Sequence, residues 1–163
     1  MATVEGLERL PEGPVRRMFA ASGRHDLDAL VAEFADDYVN ITPIHPERNF
    51  TGSAQVRANW TSLFAGIPDL TPAIADAAEG RHGTVWVEWG ARGTRRDATP
   101  VELAGVAIFT VRQERIASVR FYLEPVERSS GDIDDDVRAT AGADLQAGAG
   151  FQAGAVLPTS QGS

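Results

Sequence analysis

The chain has 163 residues, 43% of them hydrophobic, with 15 basic and 23 acidic side chains and a formal net charge of -8. That length suits one domain with a real core, and the acid excess argues against a nucleic-acid binder, which needs clustered positive charge. With no cysteine, a disulfide framework, a thiolate metal site and a cysteine nucleophile are all excluded.

The predicted elements run as follows. Pro14 suits a first helical position, and Val15, Met18 and Phe19 recur at helical spacing until Gly23. Asp26 is placed to cap a second helix, whose Leu27, Leu30, Val31 and Phe34 fall at i, i+3, i+4 and i+7. Tyr38 to Thr42 reads as a short strand before the loop Pro43-Ile44-His45-Pro46-Glu47-Arg48. A third helix opens at Gly52-Ser53, carries Val56, Trp60, Leu63 and Phe64 on one face, and stops at Gly66 and Pro68. Leu70 to Ala77, Thr84 to Arg92, Val101 to Arg112 and Arg115 to Leu123 then read as strands with short links, an antiparallel meander. Gln113-Glu114 is an unusual two-residue link because neither residue favours positive φ, so a longer bulged connection is an equal alternative.

Residues 5–126 are therefore expected to form an α+β domain, its curved antiparallel sheet packed by about three N-terminal helices around a pocket. The stretch 127–163, rich in alanine, glycine and aspartate, lacks the apolar groups that would offset ordering entropy and is expected to be disordered. Within it, Asp132-Ile133-Asp134-Asp135-Asp136 imitates the start of a calcium loop, but Val137 and Ala143 stand where the glycine and the bidentate glutamate belong. His25, His45 and His82 are too scattered to predict a metal site. The longest uncharged apolar run, Leu103 to Val111, is too short to span a bilayer, and the acidic N-terminal stretch lacks a signal-peptide core. The expectation is a cytoplasmic protein without membrane contact, metal or cofactor.

Arg24-His25-Asp26-Leu27-Asp28-Ala29-Leu30 through Phe34-Ala35-Asp36-Asp37-Tyr38 resembles the second helix and first strand of the SnoaL-like branch of the nuclear transport factor 2-like superfamily. Gly52 opening the Val56-to-Phe64 helix, Val85-Trp86-Val87-Glu88-Trp89, and Val119-Arg120-Phe121-Tyr122-Leu123-Glu124 extend the likeness over roughly residues 8–126. The resemblance implies a cone-shaped sheet closed by helices, a small hydrophobic molecule as partner and a homodimer paired through its sheets. It does not imply one chemistry, since this scaffold carries isomerases, cyclases, epoxide hydrolases and non-catalytic modules. Where ketosteroid isomerases of the superfamily keep an aspartate before a proline, this chain has Thr42-Pro43, and Ala107 stands near the place of their second pocket aspartate. Limonene-epoxide-hydrolase-like members carry an Arg-x-Asp pair, for which Glu88-Trp89-Gly90-Ala91 offers no match, although Glu124 stands where they keep an acid.

Four residues are candidates for acid/base work. His45, in the loop after the first strand, is either a general base or a histidine held by packing between prolines. Glu88 shares a strand face with Trp86, and Tyr122 and Glu124 share one with Arg120. If those faces line the pocket, Glu88 and Glu124 supply acid/base carboxylates and Tyr122 an oxyanion donor; if they face outward, they form cross-strand ladders or a dimer surface. Trp60, Phe64, Trp86 and Phe109, with Arg120, are the candidate pocket lining. The expected function is a cofactor-free proton-transfer enzyme of isomerase, cyclase or hydrolase type acting on a small hydrophobic or polycyclic molecule. The alternative is a non-catalytic ligand-binding or dimerisation module. The basic turn Arg92-Gly93-Thr94-Arg95-Arg96 is either a contact for an anionic ligand group or a solvated turn.

Overall fold

A computed structural model describes residues 3–128 and 131–142, and the chain divides into one unit over Met1–Val126 and another over Glu127–Ser163. In the first unit, α1 (Pro14–Gly23) and α2 (Leu27–Ala32) are followed by β1 (Phe34–Ile41) and β2 (Phe50–Thr51), and then by α3 (Ser53–Gly66). Four longer strands follow: β3 (Thr71–Glu79), β4 (Thr84–Thr94), β5 (Pro100–Arg112) and β6 (Arg115–Pro125). They make one six-stranded sheet in the order β2-β1-β6-β5-β4-β3. All pairings are antiparallel except that of β1 with β6.

The helix signals act where the sequence places them. Pro14 stands at the start of α1, and the Asp26 carboxylate accepts the Ala29 N–H at 3.1 Å to cap α2. Phe34 does not continue α2; it begins β1. The Ile116 N–H of β6 donates to the Glu33 carbonyl at 2.8 Å, and Arg115 donates to that of Ala32, so sheet pairing captures the backbone before another helical turn forms. Gln113 and Glu114 form the whole β5–β6 link, with φ of 50° and 58°. The tight turn prevails over the longer alternative because the ladder on either side fixes the strand ends.

Strand alternation then sorts the side chains. Val85, Val87, Trp89 and Ala91 of β4 are buried, as are Ala107 and Phe109 of β5 and Val119 of β6. Together with Val15, Met18 and Phe19 of α1 and Leu30 of α2, they make the core. Phe19 is its aromatic centre, edge-on to Trp89 at 5.0 Å and to Phe109 at 5.9 Å. A register shift between Thr110 and Val111 reverses the parity of β6 at its start. Ile116, which simple alternation groups with Arg120, is consequently fully buried. Gly105 has a φ of 155° between Trp89 and Leu123, and a Cβ there would lie 2.0 Å from the Tyr122 carbonyl oxygen. Only glycine lets β5 pass that point. At the β3 edge, Glu5 forms a parallel bridge with Ala73 and its carbonyl accepts the Ile74 N–H at 2.8 Å.

The second unit corrects the expectation of disorder over part of its length, for Ile133–Ala141 form a helix, α4. The local cause is legible in hindsight. The Asp132 carboxylate accepts the Asp135 N–H at 3.1 Å as N-cap, Asp134, Asp135 and Asp136 fill the first turn, and Gly142 ends the helix in the left-handed region. The acids that imitate a calcium loop are a helix start. Residues 143–163 of the expected disordered stretch, Ala143 among them, lie outside the described residues.

Candidate functional site

The inner face of the sheet and the helices enclose a cavity of about 180 Å³. Its walls are apolar: Phe34 and Phe50 from the β1–β2 side, Trp60 and Leu63 from α3, and Trp89, Phe109, Phe121 and Leu123 from the meander. Helical spacing brings Val56, Trp60 and Leu63 to one side, and period-two alternation brings Phe121 and Leu123 to the other.

Polar groups are few and neutral. Tyr38 and Asn40, two residues apart on β1, share the inner face, and the Tyr38 hydroxyl donates to Asn40 Oδ1 at 3.0 Å. Asn40 Nδ2 in turn donates to the Arg48 carbonyl at 3.5 Å. Burial pushes the Tyr38 phenol well above its ordinary value, because a phenolate there would lose its hydration. Ser22 donates to the Phe19 carbonyl at 2.8 Å and is thereby satisfied. Trp89 differs: its indole N–H is buried with no hydrogen-bond partner among the described residues. An unmet buried donor costs about 1–3 kcal/mol, which a ligand acceptor would offset. No carboxylate and no imidazole lines the cavity among the described residues.

The residues expected to do chemistry sit elsewhere. Glu88, Arg120 and Tyr122 belong to the outer parity of the sheet, opposite Trp89 and Phe121, and are exposed. Trp86 is 47% exposed on the same face, so it does not line the cavity. Phe64 is outside its wall and stacks on the His25 ring at 4.3 Å, while His25 Nε2 donates to the Leu70 carbonyl at 2.7 Å. Of the expected lining residues, Trp60 and Phe109 are in the cavity wall and Phe64, Trp86 and Arg120 are not.

Two of the four acid/base candidates do meet. His45 Nε2 lies 2.9 Å from Glu124 Oε1, with both side chains partly exposed, and Glu47 approaches His45 Nδ1 at 3.8 Å. The His45 loop reaches Glu124 because β1 lies beside β6. Glu124 has the parity of Tyr122, and neither His45 nor Glu124 is in the cavity wall. The structure thus joins His45 to Glu124 but keeps the pair, Glu88 and Tyr122 away from the apolar chamber.

Tyr38, Asn40 and Trp89 are the site residues that sequence reasoning passed over. The signal was present: Tyr38 and Asn40 share parity with each other, and Trp89 shares it with Val85 and Val87, an unbroken apolar set.

Comparisons with known proteins agree with this architecture. The model of the SnoaL-like domain matches residues 15–119. A structure from Catenulispora acidiphila, a hypothetical protein with a ketosteroid isomerase-like fold in complex with trimethylamine, superposes with a TM-score of 0.57 at 24% identity, covering 69% of this chain and 85% of that one. A candidate SnoaL-like polyketide cyclase from Jannaschia superposes at 0.59 with 18% identity, covering 71% of this chain and 90% of that one. A nuclear transport factor 2-like protein of unknown function from Burkholderia pseudomallei gives 0.58 at 18% identity, over 77% and 92%. At these identities the likeness is one of fold. No curated protein sequence matches the chain significantly. No helix among the described residues is long and apolar enough to cross a membrane.

Proposed function

Because the chain belongs to the family of SnoaL-like domains, we propose that it binds a small molecule with a largely apolar body in the cavity beneath the sheet. The observation that carries this reading is the wall itself: aromatic and aliphatic side chains, a neutral Tyr38–Asn40 pair, and the unmet Trp89 N–H. Such a chamber excludes water from an apolar body and offers a few fixed hydrogen-bonding positions. A titration with decanol, a neutral probe, tests it. Binding is read by calorimetry and by tryptophan fluorescence, since Trp60 and Trp89 line the cavity and Trp86 does not. The expected result is a response that survives Trp86→Phe and is much reduced in Trp60→Phe. Absence of binding, or a response carried by Trp86, would overturn it.

A second reading has one specific support. The His45–Glu124 contact at 2.9 Å is the arrangement of a histidine oriented by a carboxylate. On that reading the protein is a proton-transfer enzyme of isomerase or cyclase type, in line with the Jannaschia protein's description. It requires the reacting atom of the ligand to leave the apolar chamber for the His45 loop, which is why it stands second. The homodimer belongs to the proposal too, a second copy covering the outer face around Trp86 and Tyr122; light scattering on the purified protein tests it.

A further inference from the structure

The arginines of the β4–β5 turn, Arg95 and Arg96, are exposed and have no part in the cavity wall, yet they border one open groove. Arg95, Arg96 and Arg48 converge on an open groove together with Asp97, and the same groove is floored by Asn59 and Leu63 of α3. Asn59 and Leu63 also line the cavity, so groove and chamber meet across two residues of one helix. A second link runs through the backbone, where the Arg48 carbonyl accepts from cavity-lining Asn40. Three arginines and one aspartate line it, in a chain whose net charge is -8.

The turn is also held in place. Arg96 Nε donates to the Ala65 carbonyl at 2.6 Å, which ties the turn to the C-terminal end of α3. Asp69 Oδ1 accepts the Thr94 N–H at 2.6 Å, and Asp97 Oδ1 accepts the Thr99 N–H at 3.0 Å; these bonds keep both carboxyls below their ordinary range and therefore charged. Asn59 Oδ1 is occupied by Gln55 Nε2 at 2.8 Å, which leaves the Asn59 amide NH₂ as a donor.

We propose that this groove is the anion-recognition end of the ligand site. The ligand is then an amphipathic carboxylate, its apolar body in the chamber and its carboxylate among Arg48, Arg95 and Arg96. Guanidinium groups match a carboxylate in geometry as well as charge, and a local cluster acts within about 8 Å at physiological salt, whatever the sign of the whole chain. The proposal rests on the cavity reading and names the class of molecule that the cavity takes.

The test compares decanoate with decanol, which share an alkyl chain and differ in charge, by calorimetry on the full chain at neutral pH. Decanoate is expected to bind about tenfold more tightly. That ratio should fall to about twofold or less in an Arg48→Ala/Arg95→Ala double variant, and it should narrow in the wild type as salt rises from about 0.05 to about 0.5 M. Arg48→Lys/Arg95→Lys, with charge kept and the planar fork lost, should retain part of the preference, which guards against a fold defect as the cause. Equal binding of both probes would overturn the anion groove and leave the cavity reading standing. A preference that persists undiminished in the double alanine variant would overturn the assignment to these arginines. Binding of neither probe would remove the cavity reading and the groove proposal together.

Discussion

The inner and outer faces of one sheet are built from alternate residues of the same strands, and they have become two different materials. Inward go Val87, Trp89, Phe109, Phe121 and Leu123, apolar and packed in the core or bordering the chamber. Outward go Trp86, Glu88, Arg120, Tyr122 and Glu124, a mixed aromatic and charged surface. A reader drawn to chemistry notices the outward set first, because acids, tyrosine and arginine are what catalysis uses. The ligand proposed above, with its apolar body, would meet the inward set. Reactive residue types gathered on one strand face mark polarity, and polarity on an open sheet is as readily surface as site.

That contrast can be broken most directly by truncating one aromatic on each face. Phe109→Ala empties a position that is 1% exposed against Phe19, and the expected loss is about 3–5 kcal/mol in urea unfolding. Trp86→Ala removes a larger side chain from the outer face and should cost less than about 1 kcal/mol in the isolated chain. Comparable losses would mean that the outer face is covered in solution, as the proposed homodimer would cover it.

A smaller effect sharpens the inner side. Tyr38→Phe deletes the hydroxyl bond to Asn40 and should cost about 0.5–1.5 kcal/mol near neutral pH. The same residue sets an alkaline limit. Its phenol is raised above the ordinary 10.0, so the folded state holds a proton that the unfolded chain releases. Stability that is whole below pH 10 is therefore lost as pH climbs beyond it. The chain contains no lysine and no cysteine whose titration would overlap that of Tyr38. Urea midpoints of Tyr38→Phe should fall less between about pH 9 and about pH 11 than those of the wild type. An equal fall in both would place the alkaline loss elsewhere.

Smaller again is the outer pair. His45 and Glu124 are partly exposed, so Glu124→Gln should change stability by less than about 1 kcal/mol. A larger loss would make the pair a structural clasp between the His45 loop and β6. The least effect is expected at the β5–β6 link, which belongs to neither face. Glu114 sits at a φ of 58°, and Glu114→Gly should raise stability by at most about 1 kcal/mol, read as a small upward shift in melting temperature.

Much of the fold was legible because its signals are local. The Pro14 start, the Asp26 cap, the Val56-Trp60-Leu63 stripe and the alternation of β4 each decide an element within a few residues. What escaped depends on distant partners. Phe34 fits a helix face until Ile116 bonds the Glu33 carbonyl, and Ile116 changes sides only because the ladder slips at Thr110. For the site, His45 and Glu124 could each be anticipated as acid/base candidates, from the loop after the first strand and the acid on the last. Which parity lines the chamber could not, since an alternating strand specifies two faces and only the packed helices choose between them. Phe64 shows the same limit on a helix: it shares the stripe of Trp60, but its ring stacks on His25 outside the wall.

The short contact of Glu5 with Ala73 carries a consequence for how this protein meets copies of itself. A sheet ends in rows of unpaired N–H and C=O groups, and such rows template amyloid-like growth. Here β3 is partly covered by the chain's own N-terminal residues, and at the opposite margin β1 is flanked by β2, two residues long. Both margins are blunted against runaway strand addition. Endless edge-to-edge stacking between molecules is thereby disfavoured.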